Sequence, residues 1–502
     1  MTGLLGRTGA SMPAQPTTRW QVSGYNFLVR RMEHALVRRD VRMLNDPMRS
    51  QSRSMAIGAI LATLGLAACA VLALLRPQDK IADAKIVVGK DSGAMFVVLG
   101  EDKNTLYPVL NLASARLATG NSAKPSIVKE SEIGKRNRGP LLGIPGAPAA
   151  LPFDKDGKGR TWTVCDSIDT EGSRSVTNSV VVGDLQLRDG VSELGKGQSL
   201  LLQSRNGVYL VYDGKRAKVD INNGAVKNAL VLEGLTPRAV SPGLLNAIPE
   251  VPEVKAPVID GAEAPSPHLP GIKVGQIVQV QRSDKLQDYV VLREGIQAIS
   301  PVTKDLILFT KTVGEVKKLP QDAITNVPPA DTLDVQTFPE NSMAVVNMRE
   351  RPISCLSWKP ITGEGDITAE LRVIVGNGLP VDGKKKLVPL AQADAGGDNT
   401  DNVYIPPGTG AYVQTTGIQP TSQRKDSVFF VADTGVRYGV KNTDAAKALG
   451  FEGVKPEPAP WAIVGLLAQG ATLGREEAMI AHDGVAPDPS PAPLPSGVAK
   501  PN

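Results

Sequence analysis

Residues 55–75 read MAIGAILATLGLAACAVLALL, a stretch of 21 residues with neither a charge nor a proline. An α-helix of this length, rising about 1.5 Å per residue, would be roughly 31 Å long, which matches the hydrocarbon thickness of a bilayer. Arg53 precedes the stretch, and Arg76 and Pro77 follow it. A core helix would show a polar face with a 3.6-residue period, and none is visible. We therefore predict one transmembrane helix over residues 55–76.

Two alternatives to a membrane span are an unusually apolar core helix and a cleaved signal peptide. A signal peptide is disfavoured because the apolar run is too long, begins well inside the chain and follows a helix-like segment. The full chain has 502 residues, too many for one domain at about 150 residues each. The span therefore divides the chain into a short N-terminal part and a large part over residues 77–482.

Basic charge is concentrated before the predicted span. Residues 1–54 contain nine arginines, no lysine and three acidic residues, whereas the rest of the chain has 47 basic and 48 acidic residues. The positive-inside rule therefore places residues 1–54 in the cytoplasm and residues 77–502 outside the cytosol. The near-neutral large part offers no basic footprint for phosphates, which argues against a nucleic-acid partner.

Residues 19–54 are predicted to form a basic amphipathic helix, with Ser23 as its N-cap and its end near Asp46 and Pro47. Apolar residues recur at helical spacing: Val29, Met32, Leu36 and Met43. Arginines occupy the other faces: Arg30, Arg31, Arg38, Arg39 and Arg42. Two interpretations remain open from these residues: a helix lying on anionic membrane lipid, and a docking helix for a cytoplasmic partner.

Two internal matches indicate a duplication in the large part. Residues 96–99 with Pro108 and Val109 match residues 289–292 with Pro301 and Val302, at an offset of 193. A longer match joins the stretch that starts at Val208 to the stretch that starts at Val428, at an offset of 220 that falls to 219. The order A, B, A′, B′ predicts pseudo-two-fold symmetry. We place segment A near 94–120, B near 200–250, A′ near 286–315 and B′ near 427–480.

Proline-rich stretches of sequence separate these segments. Residues 249–270 are predicted to be an extended, polyproline-like linker, and a second linker is expected around 319–334. Residues 1–18 and the tail at 483–502, which has six prolines, are predicted to be disordered.

Two of the three cysteines lie in mirrored surroundings. Cys69 lies within the predicted span, whereas Cys165 ends the run Trp-Thr-Val-Cys and Cys355 begins the run Cys-Leu-Ser-Trp. Both fall between an A-type and a B-type segment, in a compartment where disulfides persist. We predict a Cys165–Cys355 disulfide that joins the two halves; the alternative is two free buried thiols.

Residues typical of catalysis are scarce. The three histidines, His34, His268 and His482, are scattered and build neither a catalytic triad nor a zinc site. Residues 190–197, GVSELGKG, have the G-x-x-x-x-G-K skeleton, but Gly197 stands where a P-loop needs Ser or Thr for Mg²⁺. We therefore predict no catalytic, cofactor-binding or metal-binding residues.

Several unlinked motifs, in this order, resemble the EccB family of the mycobacterial type VII (ESX) secretion machinery. They are QVSGYNFLVRR, MLNDPMRSQSR before the single span, LYPVLNLASARL, GPLLGIPGAP, WTVCDS, DTGVRYGV and APWAIVGLL. The resemblance runs from about Trp20 to His482. It implies a single-pass inner-membrane protein with an N-terminal amphipathic helix, one transmembrane helix and a large β-rich α+β periplasmic region. Repeat units there would surround a central domain over roughly 130–199 and 335–425.

The resemblance also implies partners: an EccC-type ATPase, EccD, EccE, other EccB copies that make at least a dimer, and a mycosin protease. It implies the Cys165–Cys355 disulfide, and it favours docking over lipid binding alone for the basic helix. We expect a structural and assembly subunit of the secretion complex. The alternatives are a tethered periplasmic enzyme, such as a nucleotide hydrolase in line with the ATPase label of some family members, and a module that binds envelope polymer.

Overall fold

The computed structural model describes residues 17–42, 47–75, 81, 83–100, 104–153, 159–171, 175–282, 285–310, 314–361, 368–394 and 396–486. It divides into two compact units, Met1–Lys80 and Ile81–Asn502. Most of the two segments predicted to be disordered lies outside the described residues, and so do Met43, Asp46 and Arg76.

The described part of the N-terminal unit is helical. Helix α1 spans Arg19–Arg38 and helix α2 spans Pro47–Leu75. The Thr18 hydroxyl accepts from the Gln21 amide, while the Gln21 side chain accepts from the Thr18 amide, which makes a capping box. The N-cap predicted at Ser23 is therefore wrong, because this box starts the helix earlier. The predicted end is also wrong: α1 stops at Arg39, which adopts the left-handed conformation with φ 54°.

The large unit begins with sheet A, which lies at segment A. Its elements are β1 (Ile86–Gly89), β2 (Met95–Val97), β3 (Thr105–Pro108), α3 (Leu112–Thr119), β4 (Ser126–Val128), α4 (Glu130–Ile133) and β5 (Asn137–Arg138). The short strand β6 (Leu141–Leu142) follows.

The next strands open a central sheet, and sheet B follows them. The central strands are β7 (Trp162–Ile168), β8 (Val176–Val182) and β9 (Val191–Glu193). Sheet B contains β10 (Gln198–Ser204), β11 (Gly207–Tyr212), β12 (Lys215–Val219), α5 (Gly224–Ala229), β13 (Arg238–Ala239), α6 (Pro242–Ala247) and β14 (Glu250–Val254).

Sheet A′ comes next and precedes the second part of the central sheet. Sheet A′ contains β15 (Ile277–Arg282), β16 (Lys285–Val291), β17 (Ile296–Ile299), α7 (Pro301–Leu308) and β18 (Lys317–Leu319), then a 3₁₀ helix, Gln321–Ile324. Strand β19 (Ala344–Val345) pairs with β10. The central sheet is completed by β20 (Ile353–Ile361), β21 (Thr368–Gly376), β22 (Val388–Pro389) and β23 (Asn402–Tyr404).

Sheet B′ is the last of the large sheets. It contains β24 (Ala411–Thr416), β25 (Val428–Val431), β26 (Val436–Gly439), α8 (Thr443–Leu449), β27 (Glu457–Pro460), α9 (Trp461–Val464) and β28 (Ala468–Gln469). Helix α10 (Arg475–Ala478) and strand β29 (Ala481–His482) follow. Strand β29 pairs with β6, so the described end of the chain returns to residues that follow sheet A.

Sheets A, B, A′ and B′ share one strand order. The orders are β4-β1-β2-β3-β5, β13-β10-β11-β12-β14, β18-β15-β16-β17 and β27-β24-β25-β26-β28. The first three strands of each form an antiparallel meander, and the fourth pairs in parallel with the first. A fifth strand pairs in parallel with the third in sheets A, B and B′, and Pro329 bridges to Ile296 at that place in sheet A′.

The helices join the four sheets in two pairs: the first sheet with the last, and the second with the third. Helix α3 of sheet A packs on α8 of sheet B′, and α5 of sheet B packs on α7 of sheet A′. Ala113 and Leu117 thus share one apolar core with Leu449, and Val226 shares another with Leu306. Burial of these apolar faces away from water is the main favourable term that holds each pair together.

The central sheet combines strands from both halves of the sequence. Its strand order is β22-β23-β8-β7-β20-β21-β9. The middle strand β7 and its neighbour β20 come from different halves of the sequence and pair antiparallel. One of its faces carries Trp162 and Trp358, which share a core with Leu202 of sheet B and Val413 of sheet B′. Sheets B and B′ therefore both pack on the central sheet.

Some sequence boundaries differ from the structure. The predicted linker at 249–270 begins with strand β14, which pairs with β12, so this part is not a free linker. The linker expected around 319–334 contains the 3₁₀ helix Gln321–Ile324, where Ile324 is buried. Sheet A starts at Ile86, and β24 of sheet B′ lies within the residues predicted for the central part. Strand β14 contains Pro252 and lies at the edge of sheet B, where a residue that cannot donate to the ladder is tolerated, so its sequence resembles a linker.

Candidate docking surface and central cross-link

Helix α1 carries both kinds of side chain that the docking interpretation needs. The four predicted arginines, Arg30, Arg31, Arg38 and Arg39, are exposed. The apolar side chains are also largely exposed: Met32 at 61% and Leu36 at 82%, with Val29 partly covered. Exposed apolar side chains beside cations suit either a protein groove or an anionic membrane surface.

Helix α2 has the composition of a membrane span. Its segment Gln51–Leu72 has a mean hydropathy of 2.3, and none of it is buried within the protein. At about 1.5 Å per residue, 22 residues span roughly 33 Å, enough for the hydrocarbon core. The helix starts at Pro47, before the predicted span, because its polar first two turns are also helical. The free thiol of Cys69 lies exposed on this helix.

The structure joins Cys165 to Cys355 in a disulfide. The two residues are direct partners on β7 and β20, with Cα atoms 4.0 Å apart. In the same register Trp162 lies opposite Trp358. The mirrored runs in the sequence are therefore two antiparallel neighbours, and the predicted pair is bonded. Both cysteines are almost fully buried, which shields the bond from reductants in solution.

A buried carboxylate lies beside the disulfide on the opposite face of β7. Asp166 is fully buried and accepts a hydrogen bond from the Asn178 side chain at 2.9 Å. It also accepts from the hydroxyl and the backbone amide of Ser241, at 2.7 Å each. Because Ser241 caps α6, this carboxylate fixes sheet B to the central sheet.

The network around Asp166 contains a second acid. The Asp401 carboxylate accepts a hydrogen bond from the backbone amide of Asn178 at 2.8 Å. The Thr400 hydroxyl donates to the side-chain oxygen of Asn178. Burial raises the pKa of Asp166 to about 6, and the nearby charge of Asp401 also raises it, while the hydrogen bonds from Ser241 and Asn178 oppose the shift. Asp166 is included in the motif WTVCDS, but the sequence did not predict that it joins sheet B to the central sheet. The signal was an acid at an alternate position that shares a face with the buried Trp162 and Val164.

The G-x-x-x-x-G-K skeleton does not form a phosphate-binding loop in the structure. Its residues 191–193 form β9, which pairs with β21, and β10 begins directly after Gly197. A P-loop instead leads into a helix whose N-terminal amides hold the phosphates. Lys196 lies exposed in the turn between these two strands.

The histidines lie apart, on α1, in a turn and on β29, and the ring of His482 lies 2.8 Å from the Gly143 carbonyl oxygen. Among the described residues, no group of three or more His, Cys, Asp or Glu side chains could hold a metal ion.

One long apolar helix, a basic helix and a β-rich body of similar sheets define a membrane-anchored protein with a large extramembrane region. The family model for "Type VII secretion system ESX-1, transport TM domain B" (EccB) matches residues 14–487, so this chain belongs to the EccB family.

The relatives agree over nearly the full length. The chain is 35% identical over 499 residues to the "ESX-3 secretion system ATPase EccB3" of Mycobacterium tuberculosis strain H37Rv, covering 95% of this chain and 91% of the relative. It is 34% identical to the "ESX-5 secretion system ATPase EccB5" of the same strain, covering 97% and 98%.

Solved structures share the fold as well. A chain of an intact ESX-5 inner membrane complex superposes with a TM-score of 0.74 at 32% identity, covering 97% of this chain and all of that one. The EccB3 dimer from the ESX-3 core complex superposes with a TM-score of 0.69 at 33% identity, covering 79% of this chain and all of that one.

Proposed function

We propose that this chain is a structural and assembly subunit of an ESX secretion complex in the inner membrane. The observation that carries this proposal is the likeness, over 97% of the chain, to a subunit of an intact ESX-5 inner membrane complex. The body also suits an architectural role: a buried cross-link joins its two halves, and each pair of sheets shares an apolar core. The arginine bias before the span supports a cytoplasmic N-terminus and a periplasmic body.

Helix α1 is the proposed contact with the other subunits. Its exposed arginines and apolar side chains support docking on the partners that the family resemblance implies: an EccC-type ATPase, EccD and EccE. The structural likeness to the EccB3 dimer supports pairing with a second copy, and the family resemblance implies a mycosin protease as a further partner. The surrounding membrane lipid contributes as well, because basic residues near the anionic leaflet each add about 1 kcal/mol.

The test is the size of the particle after gentle detergent extraction from the native membrane. We expect a particle far above the 53.0 kDa of one chain, and we expect it to lose mass when Arg30, Arg31, Arg38 and Arg39 are changed to Glu. The matched control changes four exposed lysines of the large unit to Glu: Lys196, Lys318, Lys384 and Lys386. An intact particle in the arginine variant would refute the docking role. A wild-type monomer or dimer in several detergents would refute the assembly role.

The names of the relatives support ATP hydrolysis as a second candidate function. A steady-state assay of the purified full-length chain tests it, with Lys196→Ala as the variant, because Lys196 is the lysine of the G-x-x-x-x-G-K skeleton. Turnover that disappears in this variant would establish a nucleotide site there and overturn the purely architectural role.

The repeats support an internal duplication. Segments A and B flank β7 and β8, segments A′ and B′ flank β20 and β21, and β7 meets β20 at the centre. We propose that the two halves of the body arose from one ancestral half and retain a pseudo-two-fold axis between β7 and β20.

A further inference from the structure

We propose that Arg437, Phe429 and Trp461 form a carboxylate-binding site on sheet B′, and that an acidic side chain of a neighbouring subunit occupies it. This inference rests on the proposed assembly role, since that role supplies the neighbouring subunit. The site lies outside helix α1 and outside the central cross-link.

The three side chains are stacked. The Arg437 guanidinium carbon lies 5.1 Å from the centre of the Trp461 ring and 5.9 Å from the centre of the Phe429 ring. The two rings are themselves stacked, with centroids 5.7 Å apart. The Arg437 Nε donates to the Leu467 carbonyl at 3.1 Å, which fixes the orientation of the guanidinium. Contacts of a cation with aromatic faces hold such a fork in place while its remaining donors stay available.

Sheet B contains the equivalent arginine. Arg216 lies opposite Val211, and Arg437 lies opposite Val431, at matching positions of the two meanders. The Arg216 guanidinium carbon lies 5.3 Å from the Tyr209 ring centre, as Arg437 lies near Phe429. Arg216 donates to the carbonyl of Leu245, which lies within α6, and Arg437 donates to the carbonyl of Leu467, which lies shortly after α9.

The two arginines differ in their partner on the fifth strand. Arg216 lies beside Glu250 of β14 and donates to its carboxylate at 2.8 Å. Arg437 lies beside Gln469 of β28, which has no carboxylate. Within the part of the chain that the structure describes, no acidic side chain pairs with Arg437. Burial alone lowers the pKa of the Arg437 guanidinium, and no carboxylate offsets it. In sheet B an acid of the same chain, Glu250, therefore pairs with the arginine. In sheet B′ the equivalent guanidinium can pair with an acid of another chain.

The surroundings suit a polypeptide partner. Trp461 is 45% exposed, whereas Trp162 and Trp358 in the same unit are buried. Tryptophan and arginine are the residues that most often dominate protein interfaces. A guanidinium that is already half desolvated and held by rings gains a charge-assisted pair at little further ordering cost, and such pairs set the register between partners.

The first test measures carboxylate binding directly on the full-length chain in detergent. The four tryptophans are labelled with 5-fluorotryptophan, and the ¹⁹F signal of Trp461 is assigned by its absence in Trp461→Phe. We expect N-acetylglutamate to shift this signal, and the isosteric amide N-acetylglutamine to leave it in place at equal ionic strength. The shift should disappear in Arg437→Gln. It should also disappear in Gln469→Glu, which supplies the internal acid that sheet B has in Glu250. The control Gln203→Glu adds an exposed acid to sheet B and should respond like wild type.

The second test measures assembly in the extracted complex. We expect Arg437→Gln and Gln469→Glu to dissociate at a chain concentration about tenfold higher than wild type, and Gln203→Glu to behave as wild type. No response to N-acetylglutamate, or an equal response to the amide, would overturn the site while leaving a wild-type particle as evidence for the assembly role. A carboxylate-specific response with unchanged assembly in both variants would overturn the assignment of a neighbouring subunit as its source.

Discussion

Asp166 accepts two hydrogen bonds from Ser241, one from its hydroxyl and one from its backbone amide, each 2.7 Å long. A residue of the central sheet thus holds the first turn of a helix in sheet B, although 75 positions separate the two in sequence. Neither residue is exposed, so water cannot replace these bonds.

Loss of the Asp166 carboxylate should destabilise the body. In Asp166→Ala the amide of Ser241 and the side-chain amide of Asn178 would lose their acceptor within the core. We expect the free energy of unfolding to fall by about 2–4 kcal/mol, measured by denaturant unfolding of the full-length chain in detergent. The exposed Asp184→Ala serves as the control and should change little. An unchanged midpoint in Asp166→Ala would show that water satisfies these groups.

The raised pKa of Asp166 predicts a pH dependence of definite sign. The folded chain binds this proton with a pKa of about 6, against an ordinary value of 3.8. Between these values the folded state holds more protons than the unfolded state, so stability rises as the pH falls from about 6 towards about 4. We expect wild type to gain stability relative to Asp166→Asn over this window. A difference that is flat with pH would contradict the shift.

Removing the cross-link should weaken the body without affecting the membrane helix. The disulfide closes a loop of 190 residues, and such bonds contribute about 2–5 kcal/mol. We expect the double variant Cys165→Ala with Cys355→Ala to unfold at a lower denaturant concentration, and its free energy of unfolding to be lower by this amount. Cys69→Ala, on α2, is the matched control. Equal stability of all three proteins would show that packing around Trp162 and Trp358 suffices.

Val231 is a β-branched residue with φ 54°, and it directly follows Leu230, the C-cap of α5. The corresponding helices α3 and α8 end in Gly120 and Gly450, which adopt positive φ without strain. Because the Val231 side chain is 64% exposed, little packing would be lost in Val231→Gly. We expect a gain of about 1 kcal/mol in the free energy of unfolding. A loss would mean that this side chain packs in the folded state.

Some features of the fold could be read from the sequence because single segments determine them. The apolar run around Cys69 and the mirrored surroundings of Cys165 and Cys355 are of this kind. The shared topology of four sheets could not be read, because its fourth and fifth strands are short, contain proline in Glu250–Val254 and Glu457–Pro460, and pair in parallel with distant partners.

The carboxylate-binding arginine was hidden for a different reason. A gapless match of segments B and B′ aligns Arg216 with Val436, whereas the strand register aligns Arg216 with Arg437. The turn in sheet B′ is longer by one residue, and only the pairing of the strands reveals the shift. A slip of one residue moves every side chain to the other face.

The packing of α3 on α8 has a consequence for the order in which the body matures. The ribosome makes α3 early and α8 near the end, so the apolar face of Ala113 and Leu117 waits for its partner during almost all of synthesis. Sheets B and A′ are neighbours in the sequence and can complete their shared core first. A nascent chain interrupted before Thr443 would thus contain the complete core between sheets B and A′ but not the core that α3 shares with α8. Leu449 and the other apolar residues of sheet B′ thus complete the core on which α3 of the first sheet packs.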